Sequence, residues 1–289
     1  MADGEAGRVT IEEDVVFGVG GGRDLRCDVY TPPGRPERAP AVLLLHGGGW
    51  RNGDRKQLRG YGILLGRDGY LCVCSEYRLV GEAAWPAQIH DVKAALRWMR
   101  ANSQRLGLDP AKIAVQGNSA GAHLALVAAG TPNISEFEGE GGNEGVASHV
   151  AAAISIYGPT DFTEKVLSER VSDLMGSDQS PERLRAASPI TYADGSFPPT
   201  LLIQGTDDKI VPAGHSTRMN EALHNAGVPV ELHLYAGQPH AFDGERNFGR
   251  QCASIMSLFL SRYVVEAHPR ADELTAAGAA VRGAAATES

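Results

Sequence analysis

Three residue types that together activate an oxygen nucleophile lie far apart along this chain. Ser119 stands in Gly117-Asn118-Ser119-Ala120-Gly121, the adjoining carboxylates Asp207 and Asp208 follow an apolar run, and His240 lies in GQPHAFD. A serine hydroxyl is a poor nucleophile at neutral pH. An imidazole within hydrogen-bond reach, itself held by a carboxylate, takes its proton and lets it attack a carbonyl carbon. The surroundings of Ser119 suit that chemistry. The apolar run Ile113 to Val115 stops at Gly117 and an alanine-rich helical pattern continues to Gly130, which reads as strand, sharp turn and helix with Ser119 at the tip. A residue at such a turn is forced into left-handed backbone, so the positions two before and two after it must be small. Gly117 and Gly121 supply this. The same turn leaves the N–H of Ala120 at a helix N-terminus, where the dipole favours a developing negative charge.

A second candidate for holding negative charge is His46-Gly47-Gly48-Gly49-Trp50, which leaves the wholly apolar run Ala41 to Leu45. Three consecutive glycines permit the close approach and unusual dihedrals that an anion-binding nest of N–H groups requires.

The elements that must position these groups follow from pattern. Residues 8 to 31 alternate around Gly20-Gly21-Gly22, as half-buried antiparallel strands do, and predict an N-terminal hairpin. The proline-rich stretch Thr31 to Pro40 cannot pair in a sheet. Continuous apolar runs at 41–45, 70–75, 150–157 and 200–204 predict parallel strands covered on both faces, with alternation at 230–234 for a last strand. Helices are expected over 58–65, 88–102, 213–226 (closed by Gly227) and 248–263. His90 and Asp91 fall on the second of these, whose core face is already defined, and read as structural. The proline-rich segment 159–199 reads as a small cap over the site, in which Asp161 has a turn role. The acidic, glycine-rich stretch Pro132 to Gly145 reads as an exposed insertion tolerant of change.

Composition narrows the function classes. With 43% hydrophobic and 21% charged residues, the 289-residue chain has the make-up of a soluble globular protein. The net charge of −8, with no basic cluster to track a phosphate backbone, argues against nucleic acid as a partner. No run approaches the ~18 apolar residues of a membrane span, and the first residues lack an apolar segment behind a basic one. No membrane association and a cytoplasmic location are the expectation. Cys27, Cys72, Cys74 and Cys252 lack metal-ligand spacing and read as buried free thiols. Neither a metal nor a cofactor is expected, and the oligomeric state is left open, a homodimer included.

From about residue 25 to 263 the chain resembles the α/β-hydrolase superfamily, and within it the hormone-sensitive-lipase-like carboxylesterases with an HGGGW oxyanion loop. The matching pieces are HGGGW, EYRL followed by WPAQIHDVKAALRW, GNSAGAHLA, the ASPITY segment, GTDDKIVP and PHAF. The order nucleophile, acid, base is that of the fold. The resemblance implies a mostly parallel sheet with helices on both faces, an N-terminal antiparallel hairpin and a small cap at about 159–199. One hydrolase domain over 1–265 and a disordered tail over 266–289 complete the expected organisation. It further implies Ser119 as nucleophile, His240 as general base, Asp208 rather than Asp207 as the acid, and the N–H groups of Gly48, Gly49 and Ala120 as oxyanion hole. His46 would be structural. Two departures stand out: EYRL replaces the DYRL of many relatives, and the 132–145 stretch matches no family feature. The implied activity is hydrolysis of small to medium, short-acyl carboxylic esters, an amidase or aryl-formamidase being the alternative with the same triad. Trp50 and Trp85 are expected in the substrate pocket, where their bulk would limit the acyl chain.

Overall fold

The computed structural model describes residues 7–132, 134–163 and 168–266. Strand β1 (Thr10–Gly20) turns at Gly21 and Gly22, both at positive φ, into β2 (Arg23–Thr31), the expected hairpin. There follow β3 (Ala39–Leu45), α1 (Arg59–Arg67), β4 (Leu71–Ser75), α2 (Ala87–Ala101) and the short α3 (Ser103–Leu106). Next come β5 (Leu108–Asn118), α4 (Ala120–Gly130), β6 (Ala152–Ile156), α5 (Ser168–Met175) and α6 (Pro181–Ala186). The chain continues through β7 (Thr200–Gly205), α7 (Gly214–Asn225), β8 (Val230–Tyr235) and α8 (Arg246–Leu260). The last helix starts two residues before the apolar pattern does, because the Glu245 side chain caps it by accepting from the N–H groups of Asn247 and Phe248.

All eight strands join one sheet in the order β1-β2-β4-β3-β5-β6-β7-β8. The pairings from β4 through β8 are parallel, and β2 joins β4 antiparallel. Period-two alternation sends side chains of each strand to two separate cores. Leu43, Leu45, Ile113 and Val115 pack on one face with α2 and α4, whereas Val42, Leu44, Ala114 and Ile154 pack on the other with α1 and α8. Burial on both faces explains the absence of polar residues from Ala41 to Leu45. All four cysteines are buried and free. Among the described residues no helix is long and apolar enough to cross a membrane. The segment between β6 and β7, read above as a cap, packs on the α4 face: the His123 ring meets the Ala187 carbonyl and Phe162. The tail reading falls, beyond Glu266, outside the described residues.

One expectation is overturned. The stretch 132–145 is no loosely held insertion, because it covers the polar side of α2. Phe137 is buried against Trp85, and the Val19 N–H donates to the Gly141 carbonyl. The carboxylate of Glu138 receives Lys93 Nζ at 2.7 Å and Arg97 Nη1 at 2.9 Å, two cations that are almost wholly buried. Thr131 supplies Lys93 with a carbonyl, and Ser148 donates to Glu138. One acid of the stretch, Glu138, is therefore the counter-charge of a buried pair of cations on α2, while Glu136, Glu140 and Glu144 are exposed as expected. Burial works against the charge of Glu138, yet the hydrogen bonds from Lys93 and Ser148 hold its carboxyl below the ordinary glutamate range. This contribution to stability is complete above that range and is lost as pH falls through it.

Removing one partner of a buried ion pair strands the other, at about 3–5 kcal/mol. Glu138→Ala is expected to lower the unfolding free energy by about 3 kcal/mol in urea titration. A loss below about 1 kcal/mol, the size of an exposed pair, would return the loop to the surface role.

Candidate active site

The site is built on β5, near the middle of the sheet. Its last residue, Asn118, hands the chain to Ser119, which adopts φ +53° before α4 begins. The Ser119 N–H donates to the Ile156 carbonyl at the end of β6, and its own carbonyl accepts from the His123 N–H in the first turn of α4. The glycines on either side are a steric necessity. A Cβ at Gly117 would lie 2.2 Å from the Gly121 carbonyl group, and one at Gly121 would lie 2.2 Å from the carbonyl oxygen of Leu45.

The loops after β7 and β8 bring the other two groups to Ser119. His240 Nε2 lies 2.9 Å from Ser119 Oγ, and its Nδ1 lies 2.7 Å from Asp208 Oδ2. A carboxylate facing Nδ1 makes that nitrogen the proton carrier and leaves Nε2 to accept from the serine hydroxyl. Asp208 is itself fixed: its Oδ1 accepts from the N–H groups of Ile210 at 2.8 Å and Val211 at 2.9 Å, and its Oδ2 from Gln204 Nε2 at 3.1 Å. Burial would push this carboxyl up, but the hydrogen bonds from His240 and Val211 outweigh it and hold it below the usual aspartate range. Asp207, by contrast, is exposed, with its backbone N–H bonded to the Gln238 carbonyl.

The glycine loop after β3 is folded around its own backbone. Gly48 and Gly49 have φ +119° and +61°, and a Cβ on Gly48 would lie 2.0 Å from the Asn52 carbonyl oxygen. The buried His46 bonds the Gly47 carbonyl through Nδ1 and stacks on Tyr77, whose hydroxyl donates to the His46 carbonyl. Burial lowers the affinity of this imidazole for a proton, and the ring acts as a brace. Among the described residues, the N–H groups of Gly49 and Ala120 bond no other protein group. Gly48, Gly49, Ser119 and His240 all border a cavity of about 880 Å³ that extends between α1 and α8. A recess of about 10 Å³ also adjoins Ser119, walled by Trp50, Pro159, Val171 and Val211.

The two tryptophans part here: Trp50 walls the recess beside Ser119, whereas Trp85 borders neither of these spaces, a correction to its expected place. Neither Trp50 nor Trp85 lines the large cavity. Both are 3% exposed and belong to the core, where Trp50 packs edge-on to His123 and Phe162, and Trp85 tilts against His123 and Phe137. Trp85 is a fastener: its N–H donates to the Leu174 carbonyl and its carbonyl accepts from Arg183. Trp50 borders the small recess alone. Trp85 is instead spent on joining the segment after β6 to the body of the fold.

A second carboxylate stands in the cavity that sequence reading did not single out. Asp243 accepts from Tyr61 OH at 2.7 Å, from Asn118 Nδ2 at 2.7 Å and from Tyr157 OH. Burial and the adjoining Asp243 charge raise the hydroxyl pKa values of both tyrosines well above normal, so they remain donors. The Tyr157 ring also packs 4.6 Å from His240. Because Asn118 precedes Ser119 and Asp243 shares a loop with His240, this network ties the two loops together independently of the Ser119–His240 bond. The signal available in the sequence was position alone: an aspartate three residues after His240. Its partners Tyr61 and Tyr157 come from distant elements, which no local spacing announces.

Asp243→Ala leaves three buried donors without their acceptor, each worth about 1–3 kcal/mol, and is expected to destabilise the fold by at least about 3 kcal/mol. Tyr61→Phe removes one bond of three and is expected to cost about 1 kcal/mol. Unfolding of both variants in urea checks this; equal small losses would mean that water replaces the carboxylate.

Comparison with known proteins agrees with this architecture. The BD-FAE family profile matches residues 27–223. Esterase LipC of Mycobacterium tuberculosis is 34% identical over 230 residues, covering 75% of this chain and 55% of LipC. Esterase LipQ of the same organism is 34% identical over 249 residues, covering 80% and 57%. The chain thus spans a little over half the length of these curated relatives. Among solved structures, esterase Est2 of Thermogutta terrifontis with butyrate bound superposes with a TM-score of 0.76 at 26% identity, covering 89% of this chain and 94% of Est2. The sheet order, the helices on both its faces and the match across residues 27–223 place the chain in the BD-FAE family of α/β-hydrolases.

Proposed function

We propose that the protein is a serine carboxylesterase that hydrolyses small to medium, short-acyl carboxylic esters through an acyl-enzyme. The observation that carries this reading is the continuous hydrogen-bonded chain from Ser119 Oγ through His240 to Asp208, opening on a cavity beside free backbone N–H groups. His240 Nε2 takes the proton of Ser119 as Oγ attacks the ester carbonyl. The resulting oxyanion is held by the N–H groups of Gly48, Gly49 and Ala120, which the glycine backbone and the start of α4 preorganise. His240 then gives the proton to the departing alcohol, and water repeats the sequence on the acyl-serine. Asp208 keeps the imidazole in the required tautomer and stabilises its charged form.

The short-acyl part of the reading rests on size. The recess beside Ser119 has room on the order of one methyl or methylene group, so a small acyl chain fills it and the alcohol portion takes the large cavity. The named relatives LipC and LipQ are esterases and Est2 binds butyrate, which supports the same class of substrate. The segment 159–199 serves in this reading as the cap, contributing Pro159 and Val171 to the recess.

Ser119→Ala is expected to lose turnover of p-nitrophenyl acetate and butyrate by a factor on the order of 10⁴ or more. An aryl formamide run beside them distinguishes ester from amide chemistry: a wild-type rate on the formamide above both esters would replace this reading with the amidase one. Asp208→Asn is expected to lower kcat by about 10⁴ while Asp207→Asn stays within a few fold, because only the former presents the wrong imidazole tautomer. The reverse order would reassign the acid.

A further inference from the structure

The large cavity carries a charge that the rest of the chain does not. Although the chain's net charge is −8, the cavity is lined by Arg51, Arg170, Arg246 and Arg250. The carboxylate among its described lining residues, Asp243, is already committed to Tyr61, Tyr157 and Asn118. Arg51 pairs with Asp173. The guanidinium groups of Arg170, Arg246 and Arg250 have no ion pair or hydrogen-bond partner among the described residues.

The placement of two of these arginines is unfavourable for the helix that bears them. Arg246 is the first residue of α8, where the positive end of the helix dipole repels a cation. Arg250 lies four residues on, so the two like charges face each other one turn apart. A helix under no other demand gains by an acidic residue at either position. The same cavity wall contributes Leu58, just before α1, and Ile63 and Leu64 on it, which offer an apolar surface opposite the guanidinium groups.

We infer that the large cavity selects esters whose alcohol portion joins an apolar body to a distal anionic group, a carboxylate in the simplest case, received by Arg246 and Arg250 with Arg170. This inference rests on the esterase reading above. A guanidinium fork matches a carboxylate in two hydrogen bonds, and a cluster of such forks with low-dielectric walls attracts anionic substrate to the site. The chemistry at Ser119 is unchanged: the anion stays on the alcohol that departs, and its charge is remote from the bond that breaks.

The test compares 4-acetoxybenzoate with 4-acetoxybenzamide, which share shape and acyl group and differ in charge, each rate divided by its hydroxide-catalysed rate. Wild type is expected to favour the carboxylate by about tenfold in kcat/KM at low ionic strength, mostly through KM. Raising the salt to about 0.5 M screens the attraction and is expected to shrink the ratio. In Arg246→Gln/Arg250→Gln the ratio is expected to fall toward one, with thermal unfolding measured alongside to check that the variant is folded. A wild-type ratio near one, or a preference untouched by salt and by the double substitution, overturns the inference. Turnover of p-nitrophenyl acetate separates the two levels: if it proceeds while the carboxylate gains no preference, the anion selectivity fails and the esterase reading stands. If p-nitrophenyl acetate and both acetoxy compounds are all untouched, the esterase reading fails first.

Discussion

Backbone touching backbone at Gly117, Gly121 and Leu45 is the constraint on which the rest of this structure depends. Strand β5 and helix α4 cross so closely that neither glycine tolerates one additional carbon, and the crossing drives Ser119 into a left-handed conformation at the tip. Such a residue is strained by about 1–3 kcal/mol and persists because its surroundings over-determine it. Here they do so twice, through the Ser119 N–H on the β6 carbonyl and through the first turn of α4. Every other group at the site is arranged relative to that fixed point.

Two carboxylates flank His240 and behave differently because their donors differ. Asp208 receives a ring nitrogen of His240 beside two backbone N–H groups and the Gln204 amide, so it faces the imidazole directly. Asp243 receives two phenols and an amide, all neutral, so its charge is spread into a scaffold that never reaches the ring nitrogens. The first can stabilise a proton on histidine; the second fixes where the histidine loop lies. The same side-chain type thus serves electrostatics in one place and architecture in the other.

The strands and the Ser119 turn were legible in the sequence because both are local: alternation, apolar runs and glycine spacing are set by residues near in the chain. Asp208 was separable from Asp207 by resemblance alone, and in the structure the difference is burial, 4% exposure for Asp208 against an open surface for its neighbour. What the sequence hid is charge meeting charge across the fold. Glu138 looks like one acid among several in a glycine-rich stretch, and nothing nearby discloses that Lys93 and Arg97 are buried beneath it. Trp85 was misplaced for a related reason: a large aromatic beside a proline suits a pocket wall as well as a core, and the partners that decide, Leu174 and Arg183, lie about ninety residues on.

The aromatic cluster of Trp50, Trp85, His123, Phe137 and Phe162 has a mechanical consequence. It joins the glycine loop, the start of α4 and the segment after β6 through rings packed at 4.5 to 5.6 Å. His123 at its centre is buried deeply enough to hold its pKa down to about 4, so the cluster stays uncharged at neutral pH. Lifting the segment after β6 would drag Trp50, and with it the adjoining Gly49. The cavity between α1 and α8 reaches Ser119 along the other wall, away from these rings, so in the esterase reading it offers an approach that leaves the backbone around Gly49 in place.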